Sequence, residues 1–124
     1  DAAVKYTAER QQFGEPVSRF QMVQGMIADM AVKVESSRAL LYRSVEAASG
    51  EDQNKARGMA SMAKLICSDT AMSVTTDAVQ LHGGYGYLTD YPVERMMRDA
   101  KITQIYEVTN QVQRLIIAKY VYGQ

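Results

Sequence analysis

Between residues 20 and 45 the apolar side chains of Phe20, Val23, Ile27, Met30, Val34, Leu41 and Val45 recur at steps of three and four, with one step of seven. That spacing keeps them on one stripe of an α-helix. Met59, Ala63, Ile66, Thr70, Val74, Ala78 and Leu81 repeat the pattern. Two long amphipathic helices of about seven turns are therefore predicted. The first should end near Gly50, a residue free to take the left-handed conformation that closes many helices, and Asp52 or Asn54 can cap the second. Residues 1–12 also read as helical.

The period breaks at His82-Gly83-Gly84-Tyr85-Gly86-Tyr87, where three glycines in four positions suit no helix interior, so a loop is expected. Pro92 is well placed for a first helical turn and predicts a short helix to about Ala100. A last helix from Asn110 to about Tyr120 would turn Val112, Leu115 and Ile116 inward. No β-branched alternation of useful length appears, nor any internal repeat or flexible linker. The expected fold is all-α, an antiparallel up-and-down helical bundle forming one domain over residues 1–124.

Charge narrows the partners. Lys plus Arg equals Asp plus Glu at 14 each, so no global field draws nucleic acid or an acidic membrane, and any ligand must be recognised locally. No apolar run approaches the length of a membrane span, which needs about 18 residues. Cys67 has no disulfide partner and lies in an apolar helical pattern, where a thiol behaves as a small hydrophobe; a reducing compartment fits best. The start at Asp1 is neither an initiator methionine nor a signal peptide, so the chain reads as cut or processed from a longer one.

Four places depart from core patterning. Arg10-Gln11-Gln12-Phe13-Gly14 is a cation followed by a helix stop, which serves either as a solvated helix-end charge or as a fork of donors for a pyrophosphate. Phe20-Gln21 opens the first long helix. Gln80 to Gly84 is either a plain connection or a turn whose missing side chains admit a ligand to the backbone. No strand precedes it, so it is not a dinucleotide fingerprint. His82, the only histidine, has no Cys, Asp or Glu at ligand spacing; a backbone-contacting loop histidine is favoured over a metal ligand, and no metal is expected. A Cys67–His82 nucleophile pair suits an apolar helix position poorly. Glu107, in Ile105-Tyr106-Glu107-Val108-Thr109, precedes a helix start capped by Thr109 or Asn110. On local grounds alone it is a carboxylate complementing a helix dipole.

Together, Arg10 to Gly14, Gln80 to Gly84 with Tyr85-Gly86-Tyr87, Tyr91 to Lys101 (YPVERMMRDAK) and Ile105 to Arg114 (IYEVTNQVQR) resemble the acyl-CoA dehydrogenase family in order and spacing. The resemblance covers nearly the whole chain and only the last third of family members. It implies an amino-terminal helical domain and a middle β domain outside these residues, and a first helix lacking its upstream half. By resemblance, Arg10 and Gln21 contact the phosphates or ribityl of FAD held by a neighbouring subunit, and Gln80, Leu81, His82, Gly83 and Gly84 line its adenosine part. Thr109, Asn110 and Gln111 bind the FAD of their own subunit. Glu107 is the base, with Tyr106 and Val108 beside the substrate.

The resemblance further implies an acyl-CoA substrate, a homo-oligomer (dimer or tetramer), electron delivery to an electron-transfer flavoprotein, and residence in a bacterial cytoplasm or a mitochondrial matrix. One departure stands out. Val108 occupies the place of a usual glycine, and its β-branch bears on substrate size and on the position of the carboxylate. Two other readings are compatible with the fold: a related flavin oxidase or monooxygenase, and a helical assembly module without activity of its own.

Overall fold

The computed structural model describes all residues, 1–124. The two stripes become α2 (Gln21–Ala48) and α3 (Gln53–His82), joined by a short link that makes them antiparallel. Asp52 caps α3 as expected, its Oδ1 accepting the Lys55 N–H at 2.9 Å. Gly50 does not close α2 in the left-handed region. Ser49 stays right-handed (φ −84°, ψ −6°) and the Gly50 N–H reaches the Ala47 carbonyl at 3.2 Å, so a tightened last turn satisfies the terminal carbonyls instead.

The first helix, α1 (Ala2–Glu9), is shorter than the sequence predicts. Residues 11–16 form a small hairpin, β1 (Gln11–Gln12) with β2 (Glu15–Pro16), paired Gln11 to Pro16 and Gln12 to Glu15. Phe13 (φ 53°) and Gly14 (φ 83°) make its two-residue turn, both in the positive-φ region that such hairpins require. A 3-10 turn over Val17–Arg19 then feeds α2.

His82 completes α3, and Gly83–Tyr87 form a 3-10 turn where a loop was expected. Gly86 is needed there, because a Cβ would stand 2.4 Å from the Val79 carbonyl oxygen. Pro92 precedes α4 (Val93–Thr103), and α5 (Asn110–Val121) ends the fold.

Helix α3 is the central rod, packed against α1, α2, α4 and α5. At one end Ala3, Met30 and Leu81 form a core supported by Val23, Met26, Ile27, Val74 and Ala78. Further along, the α2–α3 seam is made of small polar residues. Ser37 Oγ donates to Thr70 Oγ1 at 2.7 Å, and Lys33 Nζ reaches Ser73 Oγ at 2.9 Å and Asp77 Oδ2 at 3.4 Å. The predicted apolar stripe therefore leaves the seam: Leu41 and Val45 are exposed, while Ser37 and Ser44 are buried. Hydroxyls let the backbones approach more closely than leucine would. On α5, Val112 and Leu115 are likewise exposed rather than inward, and the buried positions are Asn110 and Gln113.

Candidate functional site

The predicted site residues fall into two groups on α3. The first surrounds its carboxy-terminal end. Arg10 is pinned through its backbone, its N–H donating to the Tyr6 carbonyl at 2.8 Å and its own carbonyl accepting from the Val17 N–H at 2.8 Å. Its guanidinium lies 5.3 Å from the centroid of Tyr85 and pairs with no carboxylate. Burial pushes the neighbouring Tyr6 hydroxyl above the usual phenol range; the Arg10 cation opposes this, and Tyr91 and Tyr85 reinforce it.

Arg10 and Gln80 to Gly84 border one open groove of about 600 Å³ with largely apolar walls, including Phe13, Val17 and Phe20. Phe13 and Phe20 meet edge to face at 6.2 Å. Gln21, exposed at the first turn of α2, is not among the groove's lining residues. Leu81 and His82 are buried and form its floor. The histidine contacts backbone as expected, Nδ1 lying 2.7 Å from the Ala78 carbonyl, but from inside a helix, with its ring stacked on Tyr6 at 4.2 Å. No group of three or more His, Cys, Asp or Glu side chains is arranged to hold a metal.

A Cβ at Gly83 or Gly84 would meet nothing within 4 Å, and Gly83 has φ 60°. An unpaired guanidinium, open backbone and apolar or aromatic walls suit a phosphate-bearing aromatic molecule. The residues present therefore fit a flavin dinucleotide. Phe13 in the hairpin turn and Phe20 at the start of α2 both lie in segments the sequence singles out, but their role as groove walls was not legible there, since a single Phe-Gly pair does not announce one.

The second group surrounds the start of α5. Eleven residues of α3, about 17 Å of helix, separate Asp69 from Gln80, so the two groups lie apart on one rod. Glu107 (φ 49°) and Val108 (φ 71°) are consecutive residues in the left-handed region. The Glu107 carboxylate is exposed and has no partner in the chain, and Tyr106 and Val108 beside it are about half exposed at 52% and 50%. Thr109 takes the N-cap position but makes no side-chain cap bond. The N–H groups of Gln111 and Val112 have no backbone acceptor, leaving a positive helix end.

Asn110, expected beside the FAD, has its side chain bonded within the fold. It is 3% exposed: Oδ1 accepts from Lys64 Nζ at 2.6 Å, Nδ2 donates to Ser68 Oγ at 2.8 Å and to Asp69 Oδ1 at 2.7 Å, and its N–H donates to the Gln104 carbonyl at 3.0 Å. The side chain is spent inside the fold. Thr109 is half-buried and Gln111 exposed, so both stay accessible. Arg114 joins from α5, Nη1 on the Asn110 carbonyl at 3.1 Å and Nη2 on Asp69 Oδ2 at 3.1 Å.

These two groups reproduce the motifs of one family, and comparison with known proteins decides it. Residues 1–122 match the family described as acyl-CoA dehydrogenase, C-terminal domain. The chain belongs to the acyl-CoA dehydrogenase family. A cyclohexane-1-carbonyl-CoA dehydrogenase of Geobacter metallireducens is 55% identical over 120 residues, covering 96% of this chain and 31% of that protein. The structure of butyryl-CoA dehydrogenase from Megasphaera elsdenii superposes with a TM-score of 0.91 at 45% identity, over 98% of this chain and 31% of that one. PigA, solved as an FAD complex, gives a TM-score of 0.89 at 31% identity, over 97% of this chain and 31% of that one. The chain thus spans about 31% of the length of these acyl-CoA dehydrogenase relatives and has the fold of the family's C-terminal helical domain.

Proposed function

We propose that the flavoprotein built with this chain oxidises an acyl-CoA thioester between its α and β carbons to the trans-2-enoyl-CoA, with Glu107 taking the α proton. The observation that carries this is an unpaired, outward carboxylate held on two left-handed residues directly before the open amino terminus of α5. When bound, FAD would supply the acceptor for the β hydride. Closing a substrate and cofactor over Glu107 would exclude water from the carboxylate and hold it beside the α carbon, which suits proton abstraction there. The backbone N–H of Glu107 would polarise the thioester carbonyl.

Thr109, Gln111 and the free amides of α5 would hold the flavin serving Glu107. Arg10, Gln21, Gln80, Gly83 and Gly84 would contact the flavin of a second copy. The exposed apolar residues of α2 and α5 are surface that a second copy would cover, in keeping with a homo-oligomer. An electron-transfer flavoprotein would collect the electrons. The test is Glu107→Gln in the full-length flavoprotein. It should keep FAD and acyl-CoA binding while flavin bleaching by substrate slows by about 10²–10⁴-fold, the worth of a general base. Unimpaired bleaching overturns the assignment.

A further inference from the structure

Asp69 was not singled out in the sequence as a site residue, yet its carboxylate gathers donors from both sides of the Glu107 segment. Oδ1 accepts from Gln104 Nε2 and from Asn110 Nδ2, each at 2.7 Å, and Oδ2 accepts from Arg114 Nη2 at 3.1 Å. Gln104 enters the segment 105–109; Asn110 and Arg114 leave it. The Asn110 N–H on the Gln104 carbonyl at 3.0 Å closes the same neck. Within the loop, Ile105 and Tyr106 donate their N–H groups to the Ile102 carbonyl at 2.9 and 3.0 Å, but Glu107 and Val108 make no backbone bond; residues 105–108 are exposed, and the one side-chain bond to their backbone is from Gln113 Nε2 to the Glu107 carbonyl at 3.3 Å.

Two consecutive left-handed residues persist only where the surroundings over-determine them, and here the determination comes from the neck. We propose that Asp69 is a positioning residue for Glu107, clamping Gln104, Asn110 and Arg114 to α3 so that the base-bearing loop keeps one geometry. A carboxylate is suited to this because it is acceptor-only, with lone pairs for all three donors. An asparagine would turn an NH₂ toward at least one of them. The inference rests on Glu107 being the base.

The test uses the full-length flavoprotein and single-turnover bleaching by substrate, with Asp69→Asn, Gln104→Ala and Glu107→Gln side by side. Misplacing a reacting group by about 1 Å costs up to about 10²-fold. Asp69→Asn should therefore lower the bleaching rate constant by about 10–10²-fold while the bleaching amplitude and acyl-CoA affinity hold, and an α-deuterated substrate should show a larger isotope effect than in the parent. Gln104→Ala removes one clamp donor from a half-buried position and should slow bleaching less, in the same direction. It decides the matter if Asp69→Asn does not fold. Parental rate constants in the folded variants, or a loss confined to amplitude, overturn the positioning role while a slow Glu107→Gln leaves the base assignment standing. Normal bleaching by Glu107→Gln removes both.

Discussion

Val108 offers a test in which a sign, rather than a size, decides. Its φ of 71° places a β-branched residue where Cβ crowds the following carbonyl, a conformation costing an L-residue roughly 1–2 kcal/mol. At an ordinary position glycine is less stable than alanine by about 0.5–1 kcal/mol, because it loses more freedom on folding. At residue 108 the left-handed penalty falls on alanine and not on glycine, so the order should invert. Val108→Gly should be more stable than Val108→Ala by about 0.5–1 kcal/mol, the difference between those two terms. Both variants lose the two γ-methyl groups, and glycine loses Cβ besides, a small contact on a residue 50% exposed, so their difference is chiefly that of the backbone. Urea unfolding of both proteins in parallel gives it directly. An alanine variant as stable as the glycine variant would refute the left-handed assignment.

Gly58 lies under Tyr120, and a Cβ on it would stand 2.3 Å from the ring's Cγ. Gly58→Ala should destabilise the α3–α5 contact by about 1–3 kcal/mol, and the cost should largely vanish in a Tyr120→Ala background; persistence there would place the strain elsewhere. Burial pushes the Cys67 thiol above its usual range, with Sγ 3.8 Å from the Ser37 carbonyl. A raised pKa on a group that is neutral when protonated gives stability that is full below the ordinary thiol range and declines as pH rises through the folded value. Iodoacetamide at pH about 8 should therefore alkylate Cys67 more slowly in the native protein than in urea, and equal rates would refute the burial effect.

What could be read from the sequence, and what could not, follows the range of the forces involved. The long helices were legible because a period near 3.6 is local, and α5 begins at Asn110 as predicted. The hairpin was missed because its turn uses Phe13, a bulky residue at φ 53°, where asparagine or glycine would have been the signal. Asp69 was missed because a carboxylate in a polar run, Ser68-Asp69-Thr70, on a helix looks like solvated surface; the donors that give it meaning lie 35, 41 and 45 residues away. Its one local sign was company, since Lys64, Ser68 and Asp69 share neighbouring faces of α3. Asn110 was read as a cap because its type and place suit one. The tertiary network offered its amide better partners than the helix amides did.

The inward positions also explain why large apolar residues remain outside. Among the buried residues, Thr7, Ser37, Ser44, Ser61, Ser68, His82, Asn110 and Gln113 outnumber the apolar Ala3, Met30, Ala63, Leu81, Val93 and Ala100. Every buried side-chain polar atom has a partner, so this interior is held by directional bonds that tolerate no orphaned donor. Such bonds each add little net stability, whereas apolar burial supplies most of the driving force in folding. Leu41, Tyr42 and Val45 on α2, and Leu115, Val121 and Tyr122 at the carboxy-terminal end, are the side chains that would add it, and within one chain they face solvent. A domain built this way gains its apolar burial when other protein surface covers those faces. Its inner seam meanwhile stays polar enough to set the carboxylate of Asp69 against the neck of the Glu107 loop.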